Sequence, residues 1–156
     1  MEIKEYNGSI LESNAQIIVH QVNCQSAMRS GVAKCIREKW PVVYNEYVKF
    51  CQNDKKMELL GEINVVKVSN KQAVCNLFGQ YNYGYDNKRY TSYDGLCDGF
   101  EKLKTFCQKY SLKSIAIPVN IGCGLGGGNW NIVYTIITET FKDVDVTIEF
   151  WKYETK

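Results

Sequence analysis

The clearest indication of the fold is residues 115–130, which have the sequence Ile-Ala-Ile-Pro-Val-Asn-Ile-Gly-Cys-Gly-Leu-Gly-Gly-Gly-Asn-Trp. The first residues form a short apolar run, which is typical of a buried strand. Five glycines follow, at positions 122, 124, 126, 127 and 128, before the apolar face of a helix begins at Trp130. Ordering so many glycines costs backbone entropy, and close approach of the backbone to a ligand is the usual compensation. A flexible connection is the alternative.

A second unit of strand, loop and helix lies near the N-terminus. Residues 16–20 (Gln-Ile-Ile-Val-His) contain a β-branched run that predicts a buried strand. The loop after it leads through Gly31 into a helix whose apolar residues Val32, Ile36 and Trp40 are spaced by four. In parallel α/β sheets such loops meet at the carboxyl edge, where ligands bind. Because helix N-termini carry unpaired N–H groups and a positive dipole end, the two loops predict a site for an anion such as a diphosphate.

The rest of the chain continues this alternation of helices and strands. The pattern predicts helices from Pro41, around residues 96–110 and from Trp130 to Phe141, with strands at 62–68, 73–78, 114–119 and 144–151. The first two of these strands resemble a hairpin, so an otherwise largely parallel sheet becomes mixed. No linker, charge block or repeat divides the chain. We therefore predict an α/β protein of three layers, with one domain over residues 1–156.

The composition is that of an ordinary globular domain. The chain has 156 residues, of which 45% are hydrophobic and 23% are charged. Its formal charge of +2, from 19 basic and 17 acidic residues, is too small to predict nucleic-acid binding on electrostatic grounds. No apolar run is long enough for a membrane span, and the N-terminus does not resemble a signal peptide. We expect a cytoplasmic protein with no membrane partner.

The cysteines do not predict a metal site or disulfides. Seven cysteines are present, none in a Cys-x-x-Cys pair, and His20 is the single histidine. Structural zinc sites usually need closely spaced ligand pairs, and disulfides are rare without export. We expect reduced thiols that pack as small apolar side chains, with neither a metal nor a cofactor.

The sequence does not support either of two common nucleotide-binding motifs. Residues 122–127 fit the dinucleotide pattern G-x-G-x-x-G, but only one helix and one strand remain after them, too few for a dinucleotide-binding fold. The phosphate loop of triphosphate hydrolases, G-x-x-x-x-G-K-[ST], does not occur. Hydride transfer and nucleoside triphosphate hydrolysis are therefore not predicted.

The two glycine loops resemble those of macro domains. In residues 18–40 the match is carried by Asn23 and by Met28-x-x-Gly31-Val32-Ala33, and residues 115–130 resemble the loop that wraps the diphosphate of ADP-ribose. The sequence is most similar to stand-alone macro domains that process ADP-ribose 1″-phosphate, with the branch that removes ADP-ribose from glutamate nearby. The resemblance implies a three-layer α/β/α fold with a mixed, largely parallel six-stranded sheet. It also implies ADP-ribose, or a derivative of it, as the ligand.

The resemblance further implies a set of ligand-binding residues. Asn23 would face the distal ribose, and Trp151 would lie beside adenine, although Trp151 as a core aromatic is an equal alternative. The full predicted set comprises Ser9, Ile10, Val22, Asn23, Ser30, Gly31, Val32, Ala33, Gly122, Cys123, Gly124, Leu125, Gly126, Gly127 and Trp151.

The sequence departs from the family pattern at three positions. Many macro domains have an aspartate that contacts the adenine amino group where this chain has Ser9. The glutamate-deconjugating branch has a lysine and an aspartate where Gln80 and Gly126 stand. An amide and a glycine cannot form a Schiff base or exchange protons, so that mechanism is not predicted.

Few residues remain as candidates for catalysis. His20, at the strand end before the first loop, is the candidate catalytic residue because histidine suits proton transfer near neutral pH. A single histidine at a strand end is more often structural, and the structural role is the favoured interpretation. Cys24 and Cys123 flank the same predicted cleft, but no second histidine exists to activate a thiol. Asn129 is expected to cap the last helix.

Three functions follow from these observations. The first is a hydrolase acting on an ADP-ribose derivative, with ADP-ribose 1″-phosphate as the favoured substrate and ADP-ribosyl conjugates as the other. The second is a non-catalytic reader of free ADP-ribose or of an ADP-ribosylated protein. The third is a nucleic-acid-binding module that uses the tyrosine-rich loop 81–90, which could stack bases or form a wall of the cleft. The near-neutral charge supports this third function poorly.

Overall fold

A six-stranded mixed sheet forms the centre of the structure, a computed structural model that describes residues 1–53 and 56–153. Its strands are β1 (Glu2–Asn7), β2 (Ile17–Val22), β3 (Ile63–Lys67), β4 (Ala73–Phe78), β5 (Ser114–Pro118) and β6 (Thr147–Lys152). Their order across the sheet is β1-β6-β5-β2-β4-β3, and within the described residues only β3 and β4 pair antiparallel. The predicted hairpin and the mixed, largely parallel sheet are therefore confirmed.

Helices cover both faces of this sheet. The four α-helices are α1 (Gly31–Lys39), α2 (Pro41–Asn53), α3 (Tyr93–Lys109) and α4 (Trp130–Phe141), and two short 3₁₀ helices span Ile10–Glu12 and Lys56–Leu59. Two hydrophobic cores result, one beneath α1 and α2 and the other beneath α3 and α4. The three-layer α/β/α prediction is confirmed. None of the helices in the described part of the chain is both long and apolar enough to cross a membrane.

The central strand β2 contributes buried side chains to both hydrophobic cores. Ile17 and Val19 pack on the α3–α4 side, whereas Ile18 and Val22 pack on the α1–α2 side. A parallel strand buried on both faces is expected to be apolar at successive positions, as this one is. Fully burying each such side chain contributes roughly 1.5–3 kcal/mol to stability. These contacts hold rigidly the strand end from which the first glycine loop departs.

The strand β1 was not predicted from the residue pattern, which indicated five strands, although the family resemblance implied six. All six residues of β1 are exposed, and the strand pairs along one edge only, with β6. An exposed edge strand lacks the alternation or apolar run that reveals a strand in a sequence. The last strand also begins later than predicted, at Thr147 instead of Val144.

Candidate functional site

The two glycine loops lie on opposite sides of one cavity at the carboxyl edge of the sheet. The cavity has a volume of about 270 Å³. Its first wall consists of residues 20–23, 27 and 29–33, which follow β2 and begin α1. Its second wall consists of residues 118–122 and 124–126, after β5. The parallel pairing of β2 with β5 brings these two loops together, because both strands end at the same edge.

The N-terminus of α1 is open towards this cavity. Ser30 is the N-cap residue, and its side chain makes no capping hydrogen bond. The N–H groups of Gly31, Val32 and Ala33 have no acceptor among the described residues. Gly31 has a φ of +60°, a conformation that favours glycine. Uncapped N–H groups at the positive end of a helix form a site suited to phosphate.

The second loop presents further unpaired N–H groups. Its turns are closed by hydrogen bonds from the N–H groups of Cys123, Gly127 and Gly128 to carbonyl groups nearby in the loop. The N–H groups at 122, 124, 125 and 126 have no acceptor within the described ranges 1–53 and 56–153. Successive backbone N–H groups of this kind form anion-binding concavities. The cavity is thus bounded by two opposed sets of hydrogen-bond donors.

Asn23 organises the first loop from within. It is 8% exposed; its Nδ2 donates to Ala27 O at 2.9 Å, and its Oδ1 accepts from the Gln25 N–H at 2.9 Å. The buried Tyr47 hydroxyl lies 2.6 Å from Asn23 O and 2.9 Å from Asn23 Oδ1. Burial raises the pKa of Tyr47, so its hydroxyl stays protonated and donates. Asn23 lines the cavity as predicted, but the structure also assigns its side chain a loop-bracing role.

His20 lines the cavity and is 1% exposed. Its Nε2 lies 2.6 Å from Asn76 Oδ1, and Asn76 Nδ2 donates to Asn64 Oδ1 at 3.0 Å. Since Asn76 Oδ1 accepts, Nε2 carries the proton and Nδ1 carries the lone pair. Burial lowers the pKa of His20 to about 4, although the Asn76 hydrogen bond opposes this effect. At neutral pH the imidazole is uncharged, and its Nδ1 has no partner among the described residues.

The thiols beside the cavity are not activated. Burial raises the pKa of Cys24 to about 12, and it also raises the pKa of Cys123. Cys24 Sγ donates to Gln80 O at 3.4 Å. A protonated thiol is a poor nucleophile, so neither cysteine fits covalent catalysis.

Five predicted ligand residues do not line this cavity: Ser9, Ile10, Cys123, Gly127 and Trp151. Ser9 caps the first 3₁₀ helix, and its Oγ accepts from the Leu11 N–H at 3.2 Å. Trp151 stacks on Tyr6 with ring centroids 4.7 Å apart, and its Nε1 donates to Glu149 at 2.9 Å. Ser9 and Trp151 thus lie where β1 and β6 end, beside the cavity. Their contact with adenine stays a prediction.

A third wall comes from the tyrosine-rich loop after β4. Tyr83, Gly84 and Tyr85 line the cavity. Of the two roles predicted for this loop, the structure therefore agrees with a wall of the cleft. The loop is tied to the first wall by the Cys24 N–H, which donates to Tyr81 O at 3.0 Å. A Cβ atom at Gly84 would overlap the Tyr90 hydroxyl, so a larger residue there would require the Tyr90 side chain to move. The structure also places Ala27 and Arg29 at the cavity, which no motif had indicated.

Comparison with known proteins agrees with this geometry. A family model described as "Macro domain" matches residues 19–137. ADP-ribose glycohydrolase OARD1 from Bos taurus is 30% identical to this chain, over 84% of this chain and 78% of the length of OARD1. The DNA ADP-ribosyl glycohydrolase of Thermus aquaticus is 25% identical over 94% of this chain, which spans only 39% of that relative. The solved macrodomain of Thermus aquaticus DarG superposes with a TM-score of 0.78 at 25% identity, with 98% of each chain covered.

The match extends beyond a shared architecture. The family model includes both glycine loops and the tyrosine-rich loop between them, which together form all three walls of the cavity. The resemblance inferred from residues 18–40 and 115–130 is therefore confirmed, and the chain belongs to the macro domain family.

Proposed function

We propose that the protein binds ADP-ribose, or a derivative of it, with the diphosphate held between the two glycine loops. The observation that carries this proposal is the pair of opposed donor sets, at residues 31–33 and at residues 122 and 124–126, which have no acceptors within the described structure. Two phosphate groups bring the acceptor oxygens that such donors lack. The distal ribose would then extend towards Asn23 and Tyr83, and adenine towards Trp151.

Calorimetric titration with ADP-ribose tests this binding. We expect micromolar affinity for ADP-ribose and much weaker binding of AMP, which has one phosphate and no distal ribose. NAD serves as a second control, because its nicotinamide is attached to the C1″ atom of the distal ribose, which carries a free hydroxyl in ADP-ribose. Equal affinity for AMP and ADP-ribose would contradict the two-loop arrangement.

We further propose that the bound derivative is hydrolysed at the distal ribose. Water would attack either the phosphorus of a 1″-phosphate ester or the C1″ atom of a conjugate, with release of ADP-ribose and the attached group. Gln80 is an amide and cannot form a Schiff base, so we propose direct attack by water. The loop N–H groups would stabilise the charge that develops on phosphate oxygens during attack on the 1″-phosphate.

His20 is the acid–base group that we assign to this reaction. The neutral ring lines the cavity, and its buried Nδ1 carries a lone pair with no partner among the described residues. We propose that a water molecule or a ribose hydroxyl of the bound ligand reaches this atom and donates to it. A base with a pKa of about 4 takes up protons weakly at neutral pH, so a low turnover is expected.

The variant His20→Gln distinguishes an enzyme from a reader. For an enzyme, turnover of ADP-ribose 1″-phosphate or of an ADP-ribosylated peptide falls by about 100-fold, the usual contribution of a general base. Affinity for ADP-ribose should stay within about threefold, since the phosphate donors lie on the loops. If the unmodified protein binds ADP-ribose tightly but turns over neither substrate, it is a reader.

A specific surface feature favours a second candidate, in which the attached group is a nucleic acid. A groove of about 550 Å³ runs along α1 and α2 and shares Arg29 with the ligand cavity. Its charged lining residues are Arg29, Lys34, Arg37 and one carboxylate, Glu38. None of these three cations forms an ion pair within the described residues, and Arg37 lies 3.8 Å over the Tyr44 ring. Unpaired cations beside an aromatic ring suit a phosphodiester backbone, although the overall charge is small.

Comparison of three substrates tests this candidate. ADP-ribose attached to a single-stranded oligonucleotide, ADP-ribose attached to a glutamate peptide and ADP-ribose 1″-phosphate are assayed at 50 and 200 mM salt. Recognition of the strand predicts faster turnover of the oligonucleotide conjugate, lost at high salt and in Lys34→Glu. The control is Lys142→Glu, because Lys142 is the C-cap residue of α4 and does not line the groove. Equal losses in the two variants would reject the candidate.

A further inference from the structure

One buried side chain, that of Thr91, packs closely against the second loop at Gly126 and Gly122. A Cβ atom placed on Gly126 would lie 2.5 Å from Thr91 Oγ1, and one on Gly122 would lie 3.1 Å from the same atom. A Cβ atom on Gly128 would lie 3.4 Å from Thr91 Cγ2. By contrast, Gly124 has nothing within 4 Å. Thr91 is therefore the nearest neighbour of Gly126 and a close neighbour of Gly122, whereas a Cβ atom on Gly128 would meet Gly122 O first, at 2.8 Å.

Thr91 also holds the carbonyl groups on either side of the unpaired N–H groups. Its Oγ1 donates to Gly122 O at 2.6 Å, and its own N–H donates to Gly126 O at 2.9 Å. These bonds orient the peptide groups 122–123 and 126–127. The peptide groups between them supply the N–H groups of residues 124, 125 and 126, which face no acceptor in the described part of the chain. Thr91 thus fastens the loop on both sides of its donor set.

The direction of these bonds is set by a second side chain. Thr91 Oγ1 has one hydrogen, which it gives to Gly122 O, so it accepts from Gln21 Nε2 at 2.9 Å. Gln21 Nε2 also donates to Gln80 Oε1 at 2.6 Å. The network joins the ends of β2 and β4 to the second loop. Since Thr91 is 3% exposed, its bonds are shielded from competing water.

We propose that Thr91 is a positioning residue, which holds the second loop with its N–H groups turned towards the diphosphate and so determines the affinity for the ligand. This inference rests on the proposed function. It also accounts in part for Gly126, where a Cβ atom would lie 2.5 Å from Thr91 Oγ1 and 2.8 Å from the backbone oxygen of Gly122. Thr91 and Gly126 therefore form one unit, and the loop depends on both.

Two substitutions separate the hydroxyl group of Thr91 from its volume. Thr91→Val keeps the size and branching but removes the donor to Gly122 O. Thr91→Ser keeps the hydroxyl and removes a methyl group. We expect Thr91→Val to weaken ADP-ribose binding about tenfold, the effect of one lost hydrogen bond on a ligand site, and Thr91→Ser to stay within about threefold of the unmodified protein.

Thr105→Val is the matched control. Thr105 lies on the exposed face of α3 and donates to Glu101 O at 3.1 Å, so the chemical change is the same but lies away from the cavity. Its affinity for ADP-ribose should be unchanged. If Thr91→Val does not fold, Gln21→Met removes the donor to Thr91 and is expected to weaken binding in the same direction.

Hydrogen–deuterium exchange of the ligand-free protein supplies a measurement that does not depend on binding. Thr91→Val should accelerate exchange at residues 122–128 and leave the N–H groups of α1 unchanged. If ADP-ribose binds the unmodified protein and Thr91→Val equally well, or if Thr91→Ser weakens binding as much as Thr91→Val, the inference is overturned while the proposed function stands. If the unmodified protein does not bind ADP-ribose, the proposed function fails, and the role of Thr91 in affinity fails with it.

Discussion

The two loops that enclose the cavity offer similar donors but are supported in opposite ways. The first loop is braced by polar side chains beneath it, since Asn23 and the buried Tyr47 hydroxyl hold its carbonyl and N–H groups. Its Gly31 has nothing within 4 Å and is needed only for its positive φ. The second loop is supported by close packing, because Gly126 lies against Thr91 and the backbone. Glycine therefore supplies only conformation in the first loop, whereas in the second it supplies space at Gly126 and a positive φ at Gly122 and Gly127.

The largest expected effect comes from filling that space. In Gly126→Ala the new Cβ atom would lie 2.5 Å from Thr91 Oγ1 and 2.8 Å from Gly122 O. The second contact is with backbone, so the loop itself must shift. We expect a loss of about 1–3 kcal/mol in stability from overpacking. Displaced donors should weaken ADP-ribose binding by about 100-fold, as measured by calorimetry.

Gly124→Ala is the control for this substitution. Gly124 has no atom within 4 Å, and its φ is not positive. Its stability and affinity should change little. Comparable losses in both variants would show that the second loop depends on glycine flexibility and not on contact with Thr91.

The pH dependence of stability tests the polar support on the other side, at the end of β2. Burial lowers the folded-state pKa of His20 to about 4, below the unfolded value of about 6.5. The unfolded chain therefore binds more protons between these two values, so stability falls as the pH drops from about 6.5 to about 4. The shift corresponds to roughly 3 kcal/mol, lost over that window and fully present above it.

Denaturant unfolding at a series of pH values measures this contribution. In His20→Gln the fall in stability between pH 6.5 and pH 4 should be smaller, because carboxylates common to both proteins contribute equally. Parallel curves for the two proteins would show that His20 is protonated as easily in the folded protein as in the unfolded chain.

A smaller effect is expected from the brace under the first loop. Tyr47→Phe removes the hydroxyl that contacts Asn23 at 2.6 and 2.9 Å. The backbone oxygen of Asn23 loses its donor, whereas Asn23 Oδ1 keeps the Gln25 N–H. We expect a loss of about 1–2 kcal/mol in the free energy of unfolding. The control is Tyr44→Phe, whose hydroxyl is 3.4 Å from Ser26 O and should matter little. Similar losses in the two variants would contradict a specific role for Tyr47.

The smallest effect is expected at Gly31. Alanine at a φ of +60° costs about 1 kcal/mol, and no neighbouring atom opposes its Cβ. Thermal unfolding should detect this cost. Affinity for ADP-ribose should change by less than about threefold if the backbone at residue 31 keeps its positive φ. A loss as large as that of Gly126→Ala would remove the distinction between the two loops.

Local patterns of sequence were sufficient to predict the sheet layers and both glycine loops. The apolar runs at 16–20 and 115–119 are continuous because their strands are buried on both faces, and glycines follow them where loops enter helices. The strand β1 was not predicted from its pattern, because an exposed edge strand has no buried face to impose one. The predicted ligand residues at the cavity lie within these two loops, next to the strands that position them.

The sequence alone therefore determines the elements that have a buried face, their order and the position of the two loops, because burial and backbone conformation leave periodic or glycine-rich patterns along the chain. Contacts between distant residues leave no such pattern. Thr91 lies between a tyrosine-rich loop and a helix, and nothing local indicates that it contacts Gly122 and Gly126 more than thirty residues later. His20 likewise loses its charge through burial against Asn76, 56 residues away. Only the folded chain, in which neighbouring strands end at one edge, brings these groups within hydrogen-bond distance.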